Sequence, residues 1–351
     1  MISPALRRPA GRWGSAQTKF LRVIQEMKPF KYIAPATAAT VLLAAWVATR
    51  PLKLRRLGSR PYPAAGYIEA VDRLEAWKSR GQHRLHPACQ PILLSHGRQT
   101  ERAIVFWHGL TSCPRQFYRL GKLFYERGYN VLLPRMPYHG LADRMTTEQA
   151  RLTAEDMVAF ADESIDIARG LGKHVTAFGF SMGGVVGGWA AHHRGDIERL
   201  VLLAPAFWIQ AFPRRFDRAI INFLLALPNR FRWWDPVAKA DAPGPQYAYP
   251  RFSTHALAQM LRLGQAVQAA ARRYRPVAPS ILVITNPNDQ AVDNRVAAEV
   301  VARWQAHGAN VDTYHFDAAL GLPHDLISPE QPFQQVDRVY PILLKLVTEE
   351  D

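Results

Sequence analysis

Gly179-Phe180-Ser181-Met182-Gly183-Gly184 is the stretch whose reading decides the fold. Ahead of it runs His174-Val175-Thr176-Ala177-Phe178, short and rich in β formers. Behind it, Val185-Val186-Gly187-Gly188-Trp189-Ala190-Ala191 can wind into a helix. The order is strand, sharp turn, helix, with a serine at the apex and a glycine two residues to either side. A turn that lifts a hydroxyl clear of the backbone strains the φ/ψ of its own residue. Side chains at the flanking positions would collide with the strand and the helix. The N-terminus of the following helix leaves N–H groups free to meet a developing anion. Ser181 is therefore the candidate nucleophile.

A serine hydroxyl is a weak nucleophile and needs a base, which in turn needs an orienting acid. In a strand-turn-helix setting both follow the serine in chain order. The β-rich run 280–285 leads into Asn286-Pro287-Asn288-Asp289-Gln290-Ala291-Val292, which puts Asp289 in a turn at a strand's C-terminal end, with Asp293 as its nearby competitor. Among the downstream histidines, His307 falls at a helix end and His315 inside a strand. His324, in Gly321-Leu322-Pro323-His324-Asp325-Leu326, follows the last strand in a loop and is the candidate base. Asp325 beside it reads as a cap for the next segment. An oxyanion hole calls for two backbone donors. Met182 N–H, just after the serine, supplies one. Leu110 N–H, in Val105-Phe106-Trp107-His108-Gly109-Leu110-Thr111, supplies the other. His108 precedes the serine and reads as a hydrogen-bonded prop for that loop.

Around these residues, short apolar runs alternate with helical patterns, which argues for an α/β fold with a mainly parallel sheet covered on both faces. Expected strands are 92–95, 103–107, 130–133, 174–180, 200–204, 280–285 and 311–316. The first two, with His96-Gly97-Arg98-Gln99 between them, read as an antiparallel edge pair. Expected helices are 68–80, 117–127, 147–171, 294–307 and 332–347. The first carries a buried stripe of Ile68, Val71, Leu74 and Trp77. Residues 206–278 break the alternation, with helical runs at 216–227 and 254–273 and a dense aromatic set. An insertion there reads as a helical lid over the strand C-termini, where α/β ligands bind. Phe207, Trp208 and Phe212 are its candidate substrate contacts.

The 351 residues carry a net charge of +15, unevenly spread. Residues 1–62 hold twelve Lys and Arg against one acid, Glu26, which leaves the body, 63–351, at only +4. A polyanion footprint over the body is thus not expected, and nucleic acid is not an expected partner. Within the basic segment, residues 32–49 form an uncharged run of eighteen, about 27 Å as a helix, with basic residues on both sides. This is a candidate membrane helix, whose flanks suit anionic lipid and leave its orientation open. The two cysteines, Cys89 and Cys113, supply neither a disulfide framework nor a metal ligand set. They read as buried or idle thiols ahead of a single bridge.

Taken in order, His108-Gly109-Leu110-Thr111-Ser112-Cys113-Pro114, Pro137-Tyr138-His139-Gly140-Leu141-Ala142-Asp143-Arg144, the Ser181 turn, Asn288-Asp289-Gln290-Ala291-Val292 and Leu322-Pro323-His324-Asp325 resemble the α/β-hydrolase superfamily. Its lidded monoacylglycerol lipase and carboxylesterase branch is the most similar. The resemblance covers about residues 90 to 347. It implies an eight-stranded sheet, an ester-hydrolysing triad of Ser181, Asp289 and His324, and no cofactor; no metal is expected either. Tyr138-His139-Gly140 departs from the Gly-His-Gly usual in that branch, and Cys113 stands where a small residue is common. The expected partners are a small ester, lipid-like with a medium or long acyl chain, and a membrane surface met by the N-terminal segment. Two readings compete: the same triad on an amide, a C–C bond or an acceptor alcohol, and a membrane-attached binding protein that only keeps the fold.

Overall fold

The computed structural model describes residues 30–54, 57–79 and 84–348, with side chains from residue 40 onward. The chain divides into two compact units, Met1–Arg50 and Pro51–Asp351. In the first, α1 spans Phe30–Thr49, and the Arg50 guanidinium lies 4.3 Å over the Trp46 ring. Much of the basic segment, and the side chains of the first half of this helix, lie outside the described residues. Among the described residues, no helix is long and apolar enough to cross a membrane.

The second unit is built on a sheet with seven strands among the described residues, where the resemblance implies eight. They are β1 (Ile92–Leu94), β2 (Thr100–Trp107), β3 (Asn130–Leu133), β4 (Gly172–Phe180), β5 (Arg199–Leu203), β8 (Ser280–Thr285) and β9 (Val311–His315). Their spatial order is β1-β3-β2-β4-β5-β8-β9. All neighbours are parallel except β1, which runs antiparallel to β3. The expected hairpin between the first two strands is therefore corrected. β2 has both edges taken in parallel by β3 and β4, so β1 can pair only on the far side of β3. The central strands are apolar on both faces because helices cover both, and Ala103 to Trp107 are all buried.

Helix α2 (Tyr67–Ser79) packs on α4 (Ala154–Leu171), and α4 flanks the sheet with α3 (Tyr118–Tyr125), α5 (Met182–His193), α8 (Asn294–Ala306) and α9 (Val336–Thr348). α4 starts later than its pattern suggests. Thr153 and Asp156 close a reciprocal capping box, and residues 148–151 form a separate 3-10 turn. In α2 the buried stripe is Ala70, Leu74 and Trp77, while Ile68 is 77 % exposed. The strict three-residue step drifts off a helix of 3.6 residues per turn, and Ala70 takes the place expected of Ile68.

Between β5 and β8 lie α6 (Asp217–Ala226), the short antiparallel pair β6 (Phe231–Trp233) and β7 (Arg251–Ser253), and α7 (Thr254–Ala271). From the sequence, all of 206–278 is expected in the insertion, with no strand; the pair β6 and β7 corrects the second point. The structure assigns α7 to the body. Twelve of its residues are buried, and it packs on α5, where a Cβ on Gly188 would stand 3.0 Å from the Val267 side chain. The insertion proper is 206–253.

The body also begins earlier than residue 63. Leu57 is buried and its carbonyl accepts from Trp189 Nε1 at 2.7 Å. Ser59 Oγ and Arg60 N donate to Asp162, and Tyr62 N donates to Asp166. Arg194, fully buried, holds Asp162, Asp166 and Asp196 together from behind. Residues 57–62, which composition groups with the basic segment, are thus tied to the body by hydrogen bonds to Asp162, Asp166 and Trp189. The cysteines are corrected as well. Cys89 and Cys113 form a disulfide that ties the 3-10 turn Pro87–Cys89 to the loop after β2.

Candidate active site

β4 delivers Ser181 to the C-terminal edge of the sheet. Ser181 takes φ 55° and ψ −108°, a backbone conformation that side-chain-bearing residues rarely adopt. Its N–H donates to Leu203 O at 3.0 Å, which fixes the turn against β5. The glycines on either side are sterically required. A Cβ on Gly183 would stand 2.0 Å from Trp107 O, and one on Gly179 would stand 2.0 Å from Gly183 O. The strain at Ser181 is held in place by the packing of two strands and α5 around it.

Two further loops bring their residues to the serine. Asp289 follows β8 in a turn, with its side chain fully buried. One carboxylate oxygen accepts from Ala291 N at 2.8 Å and Val292 N at 3.1 Å. The other lies 2.6 Å from His324 Nδ1, and His324 Nε2 lies 3.0 Å from Ser181 Oγ. A carboxylate can only accept, so Nδ1 carries the proton and Nε2 is free to receive the serine's. Burial alone would push the Asp289 carboxyl up. The His324 imidazole and the two backbone amides outweigh it, and the group ends below the usual carboxylate range. Burial likewise pulls the His324 imidazole down, but Asp289, aided by Asp325, raises it overall. Asp293, the competitor in sequence, instead caps α8 and pairs with Arg295.

The loop after β2 is set by buried histidines. His108 faces Gly109 O through Nδ1 at 3.0 Å and accepts from Met136 N through Nε2 at 3.2 Å. Burial, followed by the neighbouring His139, depresses it to about 3, so it stays neutral. It is a prop, as its place in the chain suggests. His139 reaches Leu110 O, which also accepts from Gln149 Nε2 at 2.6 Å. Met182 opens α5, and an N–H at that position has no partner within its own helix.

Between these loops lies a cavity of about 350 Å³ that contains Ser181, His324, Leu110 and Gly109 in its wall. Its aromatic lining is Phe180, Trp234 and Tyr249, backed by Pro243, Pro245 and Pro250 of the insertion. The expected substrate contacts are corrected here, because Phe207, Trp208 and Phe212 do not line this cavity. Phe207 is fully buried beneath α5, meeting Trp304 edge-on, and Trp208 Nε1 donates to Phe212 O. They follow β5 directly, so they pack into the body before the chain reaches the cavity.

Sequence reasoning missed Asn286. Fully buried, it donates to Leu322 O at 2.8 Å and Pro323 O at 3.1 Å, tying the Asp289 loop to the approach to His324. Its only trace in the sequence is its place at the end of a strand, three residues before Asp289.

This fold and site define the α/β hydrolases. Residues 98–327 match the family described as Serine aminopeptidase, S33, and the chain belongs to that family. It is 27 % identical over 186 residues, 52 % of this chain and 69 % of the relative, to a thermostable monoacylglycerol lipase of Bacillus sp. (strain H-257). Among solved structures it is similar to a monoacylglycerol lipase of Paleococcus ferrophilus, with TM-score 0.55 and 14 % identity, over 74 % of this chain and 98 % of that one. It is also similar to a soluble variant of monoglyceride lipase from Saccharomyces cerevisiae bound to a substrate analogue. That match has TM-score 0.52 and 13 % identity, over 74 % and 90 % of the two chains. At these identities the two structures speak to the fold.

Proposed function

We propose that the protein hydrolyses carboxylic esters of a lipid-like or acylglycerol type through an acyl-enzyme. The single observation that carries this reading is the continuous hydrogen-bonded series from Asp289 through His324 to Ser181. Ser181 Oγ attacks the ester carbonyl while His324 Nε2 takes its proton, and Asp289 holds the imidazole in the required tautomer. The Leu110 and Met182 N–H groups receive the oxyanion. His324 gives its proton to the departing alcohol, then takes one from water as the water oxygen bonds to the acyl carbon, and returns it to Ser181 Oγ as the acyl–Oγ bond breaks and the acid leaves.

The apolar cavity wall of Trp234, Tyr249 and three prolines supports a medium or long acyl chain. The monoacylglycerol lipase relative supports the same substrate class. In this reading the insertion 206–253 serves as the lid. The uncharged run 32–49 with its basic flanks supports attachment to an anionic bilayer, and co-sedimentation of the full chain with anionic and neutral vesicles tests that part.

The central test is hydrolysis of nitrophenyl esters over a series of acyl lengths by the wild type and Ser181→Ala. The wild type is expected to turn over and label with a fluorophosphonate, while the variant does neither. Undiminished turnover in Ser181→Ala overturns the mechanism, and product analysis on a lipid extract separates ester cleavage from amide cleavage or acyl transfer.

A further inference from the structure

Asp325 does more than cap the segment after His324. Its Oδ1 accepts from Ile327 N at 3.4 Å and Ser328 N at 3.1 Å, as a cap should. Its Oδ2 accepts from Ser328 Oγ at 2.6 Å, Gln331 Nε2 at 3.1 Å and Gln116 Nε2 at 3.0 Å. Gln116 comes from the other side of the cavity. It lies in the 3-10 turn Pro114–Phe117, is 2 % exposed, and its Oε1 accepts from Gly109 N at 2.9 Å. One buried amide therefore spans two loops more than two hundred residues apart in sequence. Its oxygen holds the backbone just before Leu110, and its nitrogen holds the residue just after His324.

We propose that Gln116 and Asp325 are positioning residues for the reaction, clamping the loop that presents the Leu110 N–H to the loop that carries His324. The inference rests on the hydrolase reading for its catalytic consequence, and on the hydrogen bonds alone for the clamp itself. The physical reason for a clamp is geometric. An oxyanion donor and a general base act on the same reacting carbon, and a misplacement of about 1 Å can cost on the order of 100-fold in rate. Two loops from opposite ends of the chain share no ladder or helix that would fix their spacing. The buried amide does so, because its acceptor and its donor sit side by side on one rigid group. Gln331 lies beside the insertion, where a Cβ on Gly244 would meet its Oε1 at 3.3 Å, so the clamp also touches the segment that walls the cavity.

The test uses full-length protein with Gln116→Glu, Asp325→Asn, the double variant, and Gln116→Met as an uncharged control. Gln116→Glu sets two carboxylates face to face and is expected to lower kcat roughly 30-fold with KM changed less than about threefold. The double variant restores one donor and one acceptor between 116 and 325 in exchanged order and is expected to recover part of the loss seen in Gln116→Glu, the rest staying lost with the bonds from Ser328 Oγ and Gln331 Nε2. Hydrogen exchange supplies a readout independent of activity. Gln116→Met is expected to raise exchange in peptides covering 108–112 and 322–327 together. Failure of the double variant to recover, or a rise confined to 108–112, overturns the clamp. An inactive wild type whose two peptides respond together would sink the ester reading and keep the clamp. An active wild type whose peptides respond separately would do the reverse.

Discussion

The loops that meet over the sheet and the insertion that walls the cavity treat their side chains in opposite ways. In the loops, Asp289 and Asn286 are buried and every described hydrogen bond of their side chains is internal to the body. In the insertion 206–253, Phe216, Leu227, Trp234 and Val237 leave between 50 % and 90 % of their surface exposed. The difference teaches where fixed geometry is needed. Proton transfer requires heavy atoms held at hydrogen-bond distance, and burial with full satisfaction provides that. An acyl chain needs only apolar wall, which the half-exposed Trp234 can offer in more than one arrangement beside the buried Tyr249.

The largest effect that would test this contrast is expected from Asp289→Asn. Loss of the carboxylate releases the imidazole tautomer and is expected to lower kcat by about 10⁴-fold. It also moves the pH profile. The neutral imidazole is the form that takes the proton, and in the wild type Asp289 raises His324 above the ordinary imidazole value. Wild-type kcat/KM is therefore expected to fall as pH drops through the raised pKa of His324, and the variant's midpoint is expected to lie lower. A midpoint that does not move assigns that limb to another group.

Next comes Gly183→Ala. The added Cβ would stand 2.0 Å from the Trp107 carbonyl, so strand and helix must part. A loss of about 3 kcal/mol in urea unfolding is expected, with activity falling in step. The Cys89–Cys113 bridge closes a loop between positions 24 residues apart. Cys89→Ser with Cys113→Ser is expected to cost about 3 kcal/mol by the same measurement, with kcat changed far less than in Asp289→Asn. Equal stability with and without the bridge would place its constraint elsewhere. The smallest effect belongs to the insertion. Trp234, 52 % exposed, donates to Thr111 Oγ1 and packs on Phe252. Trp234→Ala is expected to raise KM for long-chain esters several-fold, leave short-chain KM nearly unchanged, and alter stability by about 0.5 kcal/mol or less. A uniform loss over all chain lengths would make Trp234 part of the rigid region.

Much of this was legible in the chain. The Ser181 turn, the order of Asp289 and His324, and the alternation of strands with helices rest on local patterns, and the structure brings those three side chains together. What could not be read depends on partners remote in sequence. β1 next to β2 in the chain looks like a hairpin until β3 enters between them. Phe207 and Trp208 look like cavity residues until β5 turns them into the body. Two cysteines look idle until the fold sets their Cα atoms 5.4 Å apart. Asn286 and Gln116 carry no charge and match no motif, so only their bonds reveal them.

By itself, then, the sequence determined the strand-turn-helix at Ser181, because glycine sterics and β or helical preference act within a few residues. It also determined the candidate acid and base, since each must lie at a strand end after the serine. The tertiary structure alone decided which aromatics face the cavity, where the body begins, that the cysteines join, and what holds the oxyanion loop against His324. Those outcomes turn on burial and hydrogen-bond distance between segments far apart in the chain, and no local preference encodes a distance of that kind.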